Sequence, residues 1–428
     1  MATYNGPFGT AQAERLLWRA GFGPRPGEAA RLAKMGFTRA IHSLTRPAAE
    51  QLIGPEPHDD KGLPLAPVDA FGHDHLWWLD RMARTTTPLL ERMTLVWHDW
   101  FATSNQGVAS QRLMIDQNNL LRGYALGSFS DLLVNVTKDP AMLVWLNGVQ
   151  NAKGRPNENY GREMMELFTL GADRGAYTET DVREQARALT GWRGNVQKGI
   201  PTPFTYDPAS HDGGVKTIFA QSGAFDWQDS CRLCLAHPQH PSFFVTKLWS
   251  YFVPTPPDAA TVKDLAALYA NRLIRPVVEA ILMHPTLYRG PRMAKPPVVY
   301  TAGLLRARGR GIDTARWLQL DTSAGQRLFY PPNVSGWDDS RWLDTATFRA
   351  RWLVAALAQG DSEPTDSPRD PAKLVGRALD FWGRPAISHE TTTVLSAFAA
   401  KQLAHHRAAV VETALRRLVA TSPDLQTA

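Results

Sequence analysis

The sequence predicts an all-α protein, a large multi-helix globular array with long irregular loops and at most a small β-hairpin near residues 200–220. Three observations carry that expectation. Amphipathic helical stretches follow one another along nearly the whole chain. Strand signals are few, and no strand–helix–strand alternation occurs. The 428 residues are 43% hydrophobic, enough to bury a large core. The expected division is a main helical domain over residues 1–358 and a C-terminal helical extension over 359–428 packed on it.

Taken in order, residues 11–20 (AQAERLLWRA) predict a short amphipathic helix, broken by GFGPRPG. Residues 27–44 predict a second, interrupted near Gly36. Pro, Gly and charge between Arg46 and Pro67 predict a long exposed connection. An aromatic and basic helix follows from about Val68 to Arg84. Pro88 opens PLLERMTLVWHDWFATS, where Leu89, Met93, Val96, Trp97 and Trp100 share one face. Helices are expected over 108–126 and on either side of Pro140. In YTETDVREQARALTGW, Thr178 or Thr180 is the N-cap and Gly191 the stop. After the Gly- and Pro-rich stretch 193–226, helices resume at about Trp227 and at PSFFVTKLWSYFV. Others cover 257–272, 274–284, 295–309, 313–328 and 345–358. Three close the chain, at about 370–382, 388–401 and 405–420.

The most informative stretch is Pro156 to Gly171, PNENYGREMMELFTLG. Pro156 and the Asn residues suit a helix start, and Gly171 a left-handed C-cap. At about 100° per residue, Tyr160, Met164, Leu167 and Phe168 share an apolar face, with Arg162, Glu166 and Thr169 opposite. Glu163 falls on the flank of the apolar face. A carboxylate there must be paired, protonated or bound to a metal, because burying a lone charge is too costly. Two readings stay open. In one, Glu163 and Glu166 chelate a divalent metal or do acid/base work, with His98 and His211 as imidazole partners and Arg162 as an anion clamp. In the other, Arg162, Arg187 or Lys247 neutralises the carboxylates in a structural ion network.

His211 and Asp212 lie in the least regular segment, beside Gly213 and Gly214. His211 is a candidate base or ligand oriented by Asp212; the plainer reading is an exposed turn. Cys231 and Cys234 with His237 and His240 imitate a zinc pattern. Helical rotation carries the four groups apart and Pro238 breaks the run, so core filler is expected. Lys247 interrupts FFVTKLWSYF, either snorkelling or serving the Glu163 cluster. The aromatic loop Pro331 to Trp342 reads as a plug rather than a stacking surface for a flat ligand.

Composition excludes several classes. With 47 basic and 41 acidic residues, the net charge of +6 is spread through helical patterns and forms no nucleic-acid footprint. No run approaches the roughly 18 apolar residues of a membrane span. The N-terminus shows no export leader, so a cytoplasmic protein is expected, or an exported one if a leader was removed. There is no Walker loop, nucleophile elbow, H-E-x-x-H or dinucleotide fingerprint.

Several stretches together resemble one bacterial family, the "domain of unknown function 1800" proteins. They are AERLLWRAGFGP, LVWHDWFATS, KDPAMLVWLNG, PNENYGREMMELFTLG, YTETDVREQARALTGW, YDPASHDGGVKTI, HPSFFVTKLWSYFV and GQRLFYPPNVSGWD, within residues 13–355. The resemblance implies a large helical protein, often exported. It also implies a possible companion that resembles sulfatases and phosphatases. It names no activity. One departure matters: where the family pattern has a His-x-His pair, this chain has His98 and Trp100. The expected function is an enzyme with a polar acid/base site, metal-assisted in one reading, built on the 157–171 helix. The alternative is a non-catalytic protein that binds or assembles with a partner or polymer.

Overall fold

Helix starts in this chain are written in short polar side chains. Thr178 accepts from the backbone N–H of Asp181, and Asp181 returns the bond to the backbone N–H of Thr178, a reciprocal cap. Asp139, Asp344, Asp370 and Ser388 each accept a backbone N–H from the first turn of the helix that follows, a one-way cap. The computed structural model describes all 428 residues and contains 23 α-helices, so the mostly helical class holds.

Between Trp192 and Gly223 the chain makes three short antiparallel pairs, more than the single hairpin expected. Their turns explain the difference. Lys198–Gly199 and Phe219–Ala220 all have positive φ, as hairpin turns with the twist of the flanking strands require. Phe and Ala are not residues that announce such a turn, and strands of two or three residues show no alternation to read.

The apolar side chains gather in two cores. The first holds Trp97, Trp100, Phe129, Phe168, Phe244 and Tyr269. The second holds Trp78, Met82, Tyr300 and Leu304, together with Leu374, Leu415 and Val419 from the last helices. Residues after 359 thus share a core with the body of the chain. The Pro88–Trp100 helix runs between the two cores. Only Leu90 and Asp99 along it keep partial exposure, as expected for a helix apolar nearly all round.

The stretch singled out in the sequence is helical but not uniformly so. Asn159–Glu163 is α-helical, and Met164–Thr169 continues as a π-helix. A π turn rotates the chain less per residue than the 100° of an α-helix. Thr169, expected on the polar side, is therefore fully buried beside Met165 and Phe168. Gly171 takes φ +91°, and its N–H reaches back to the carbonyl of Met165, as a left-handed C-cap requires.

The last carbonyls of this helix find no helical donor. Side chains supply them. Lys247 Nζ donates to Leu167 O at 2.8 Å, and Trp100 Nε1 to Phe168 O at 3.1 Å. His240 Nδ1 lies 2.8 Å from Thr169 O, and Arg174 Nη1 donates to Leu170 O at 3.0 Å. Each donor belongs to a different part of the chain except Lys247 and His240, which share the His240–Ser250 helix.

Candidate functional site

The residues expected to form one site are spread over three places. Arg162 donates to Glu179 at 2.7 and 2.9 Å and to Glu158 at 3.1 Å, and reaches Glu166 only at 3.5 Å. This is a solvent-facing ion network, and exposed pairs of this kind add little stability. Glu163 is half-buried and accepts none of those bonds. Burial, then the charge of Glu166, raises its pKa, while Arg162 lowers it.

Asp212 does not orient His211. It pairs with Arg187 at 2.7 Å, and that bond holds its carboxyl down to about 2. His211 Nδ1 instead lies 3.0 Å from the carbonyl oxygen of Thr190. His98 sits in an aromatic box of Trp78, Phe329 and Trp337, with ring centroids 5.3–5.6 Å away. Its Nε2 has no partner, and burial pushes it down to about 3, so the ring is neutral. Nowhere do three His, Cys, Asp or Glu side chains gather closely enough to hold a metal ion. The set His98, Glu163, Glu166 and His211 is therefore not brought together. Cys231 and Cys234 are buried free thiols, pushed up to about 12 by burial, as core filler should be.

A different constellation does converge. A cavity of about 240 Å³ opens where the two cores meet. The Pro88–Trp100 helix lines it with Arg92, Leu95, Val96 and Asp99, an i, i+3, i+4, i+7 stripe. The His240–Ser250 helix and the residue after it add Lys247, Ser250 and Tyr251. The loop at 331–342 closes the cavity with Trp337, Asp339 and Trp342.

Asp99 is fixed in its wall. Tyr251 Oη donates to Asp99 Oδ2 at 2.7 Å, and the backbone N–H of Trp337 donates to Oδ1 at 2.9 Å. Gly336 makes that approach possible. It holds φ +91°, and a Cβ there would lie 2.2 Å from Asp99 Oδ1. Burial raises the Asp99 pKa against the pull of Trp337, Tyr251 and Lys247. Lys247 lies over the Trp100 ring, 4.5 Å from its centroid. Burial brings its ammonium down to about 8, while Asp99 pulls the other way. Lys247 thus holds the end of the π-helix and feels the charge of Asp99, and makes no bond to the Glu163 cluster. Tyr251 is raised well above the ordinary phenol range by burial and by Asp99, so it stays a proton donor.

The stretches that meet here are LVWHDWF, FFVTKLWSYF and FYPPNVSGWDDSRW, three of those that carry the family resemblance. The family model for the protein of unknown function DUF1800 matches residues 15–427. The chain belongs to that family. The match reaches past residue 355 and takes in the last helices. No curated protein and no solved structure matches the chain. No helix of this family member is long and apolar enough to cross a membrane.

Sequence reasoning did not single out Arg92 or Tyr251 as site residues, and took Asp99 only as a poorly directed substitute for the missing second imidazole beside His98. A usable signal was present: two charges seven residues apart, Arg92 and Asp99, lie on one stripe of a helix otherwise packed with Leu, Val and Trp. The Lys247 interruption was visible as well, but which carboxylate it faces depends on packing between distant segments.

Proposed function

We propose that this protein is an enzyme carrying out proton transfer on a small substrate held in the cavity between its two cores. Lys247 is the general acid/base. Asp99 and Tyr251 fix the charge and proton inventory around it, and Arg92 holds substrate. The observation that carries this reading is Lys247 itself. A cavity-lining amine brought to about 8 exchanges protons near neutral pH, and it shares the cavity wall with a carboxylate whose two oxygens are both pinned. The acid/base chemistry expected from the sequence is kept, but its seat moves from the surface of the 157–171 helix to a cavity abutting that helix's end.

The test is competitive labelling with acetic anhydride across pH, read by peptide mass spectrometry. Lys247 in the wild type is expected to reach half-maximal reactivity near pH 8. Asp99→Asn should lower that midpoint, because the carboxylate favours the charged amine. A midpoint at the ordinary lysine value of about 10.4 would rule out the assignment.

A second reading, a non-catalytic binding protein, draws on a groove of about 600 Å³ among the last helices. Phe348, Trp352, Val394, Phe398 and Leu418 line it, and Val394 is 62% exposed. That reading makes no use of Lys247, so an ordinary Lys247 midpoint would favour it.

A further inference from the structure

The groove among the last helices shares no residue with the Lys247 cavity. Thr345–Gln359 and His389–Leu403 each pack on Ala408–Thr421, and all three helices line the groove. Phe348 and Trp352 sit one turn apart on the first helix, Val394 and Phe398 one turn apart on the second. Phe348, Trp352 and Val394 are 38%, 36% and 62% exposed. Contiguous apolar surface of this kind marks a place where another molecule sits.

The groove leads into a basic hollow. The stripe of Phe348 and Trp352 continues one turn on to Ala356, which lines a second cavity of about 460 Å³ at the end of the same helix. Arg417 joins the two: it lines the second cavity, and its guanidinium lies 5.7 Å from the centroid of the Trp352 ring. Arg308, Arg310 and Arg316 stand in the same wall. Arg310 pairs with Asp313 at 2.5 Å, and Arg308 gives one Nη to the carbonyl of Phe381. Neighbouring Arg416 and Arg377 are taken by Glu412. One acidic side chain, Asp361, belongs to this wall. Arg308, Arg316 and Arg417 thus stand without a carboxylate partner against the single carboxylate of Asp361, and the hollow keeps an excess of positive charge. Glu390 is the one charged side chain in the groove wall. It lies at the opposite end, where Ser388 bonds Asp424 beyond the Ala408–Thr421 helix.

We infer that this face docks an amphipathic helix of a partner protein, with its apolar side chains in the groove and an acidic end against Arg316 and Arg417. A groove lined by three helices is the setting in which a further helix buries its apolar face, and clustered arginines hold acidic side chains. A second copy of this chain, applied across a twofold axis through the same face, would set the arginines against themselves. The inference rests on the binding reading of this groove and adds the chemistry of what fills it; it makes no use of Lys247.

The test uses the full chain and three synthetic helical peptides of about 15 residues, some 22 Å long. They share one face of Leu and Ala and end in Glu, in Gln or in Lys. Binding is read by fluorescence anisotropy of a dye on the peptide. The Glu-ended peptide is expected to bind about tenfold tighter than the Gln-ended one, with the Lys-ended one weakest. The double variant Arg316→Gln, Arg417→Gln should bring the Glu-ended peptide to the level of the Gln-ended one. Val394→Asp should weaken all three and leave the melting temperature in place, because the side chain is exposed. Equal binding of the three peptides, lost in Val394→Asp, would overturn the acidic partner and leave the binding reading standing. No binding, or binding that Val394→Asp leaves untouched, overturns the docking as well. Two other results give the groove a different occupant and also overturn the inference. One is a wild-type dimer in sedimentation that Val394→Asp dissociates. The other is binding to phosphatidylglycerol vesicles, lost in the double arginine variant, with no preference among the peptides.

Discussion

His98 is the residue whose chemistry is most changed by where it sits. In the chain it looks like a metal ligand or a base; in the aromatic box it is a neutral ring with an unpaired Nε2. Its pKa is near 3 in the fold against an ordinary 6.5. The unfolded chain therefore binds more protons than the fold between those values, and the His98 contribution to stability falls as pH drops through that window. The loss is at most about 1.4 kcal/mol per pH unit. The stability of the wild type minus that of His98→Leu, from urea unfolding at a series of pH values, should decline from pH 6.5 downward. A flat difference would mean that the ring protonates freely in the fold. Glu163 belongs to the same scale. Helical position placed it correctly on a flank, but only the packed chain shows that Arg162 turns outward to Glu158 and Glu179.

At the scale of elements, helix starts were legible because one or two adjacent residues decide them: Pro88, Thr178, Asp344 and Ser388 act locally. The end of the Met164–Thr169 π-helix was not, because its carbonyls are satisfied by Trp100, Lys247, His240 and Arg174, up to 80 residues away in sequence. Trp100→Phe tests the dependence. It keeps the ring but removes the donor to Phe168 O, and is expected to cost about 1–3 kcal/mol from the lost bond and reduced packing. Amide hydrogen exchange should quicken in Met164–Thr169 before it does elsewhere in the first core. Unchanged exchange there would show that the carbonyl needs no side-chain partner.

At the scale of the whole molecule, the two cores are clasped by the loop at 331–342. Its Trp337 backbone reaches Asp99 on the helix between the cores, while Trp342 packs in the wall beside it. Gly336 is the position that lets the clasp close. Gly336→Ala combines a strained positive φ with a clash against Asp99, a loss of about 1–3 kcal/mol, and should lower the melting temperature by a few degrees. It should also release Asp99 from the Trp337 N–H and so shift the Lys247 midpoint, measured by the same labelling. Stability lost with no change at Lys247 would separate the clasp from the site. The helical class was legible from periodicity. The cavity was not, because its wall is assembled from residues 92–99, 247–251 and 337–342, and no local pattern records which of these will face one another.

The π turn itself has a geometric consequence. A helix closed by bonds five residues apart holds one residue more per ring than an α-helix. A chain one residue shorter between Met164 and Thr169 would wind as an ordinary α-helix, and its final carbonyls would swing by about 100°. They would then point past Trp100, Lys247 and His240. The segment is thus measured in residues as strictly as a spacer cut to length. Substitutions within it are a matter of degree, whereas a deletion would re-aim the whole helix end at once and leave the Lys247 amine without its anchor.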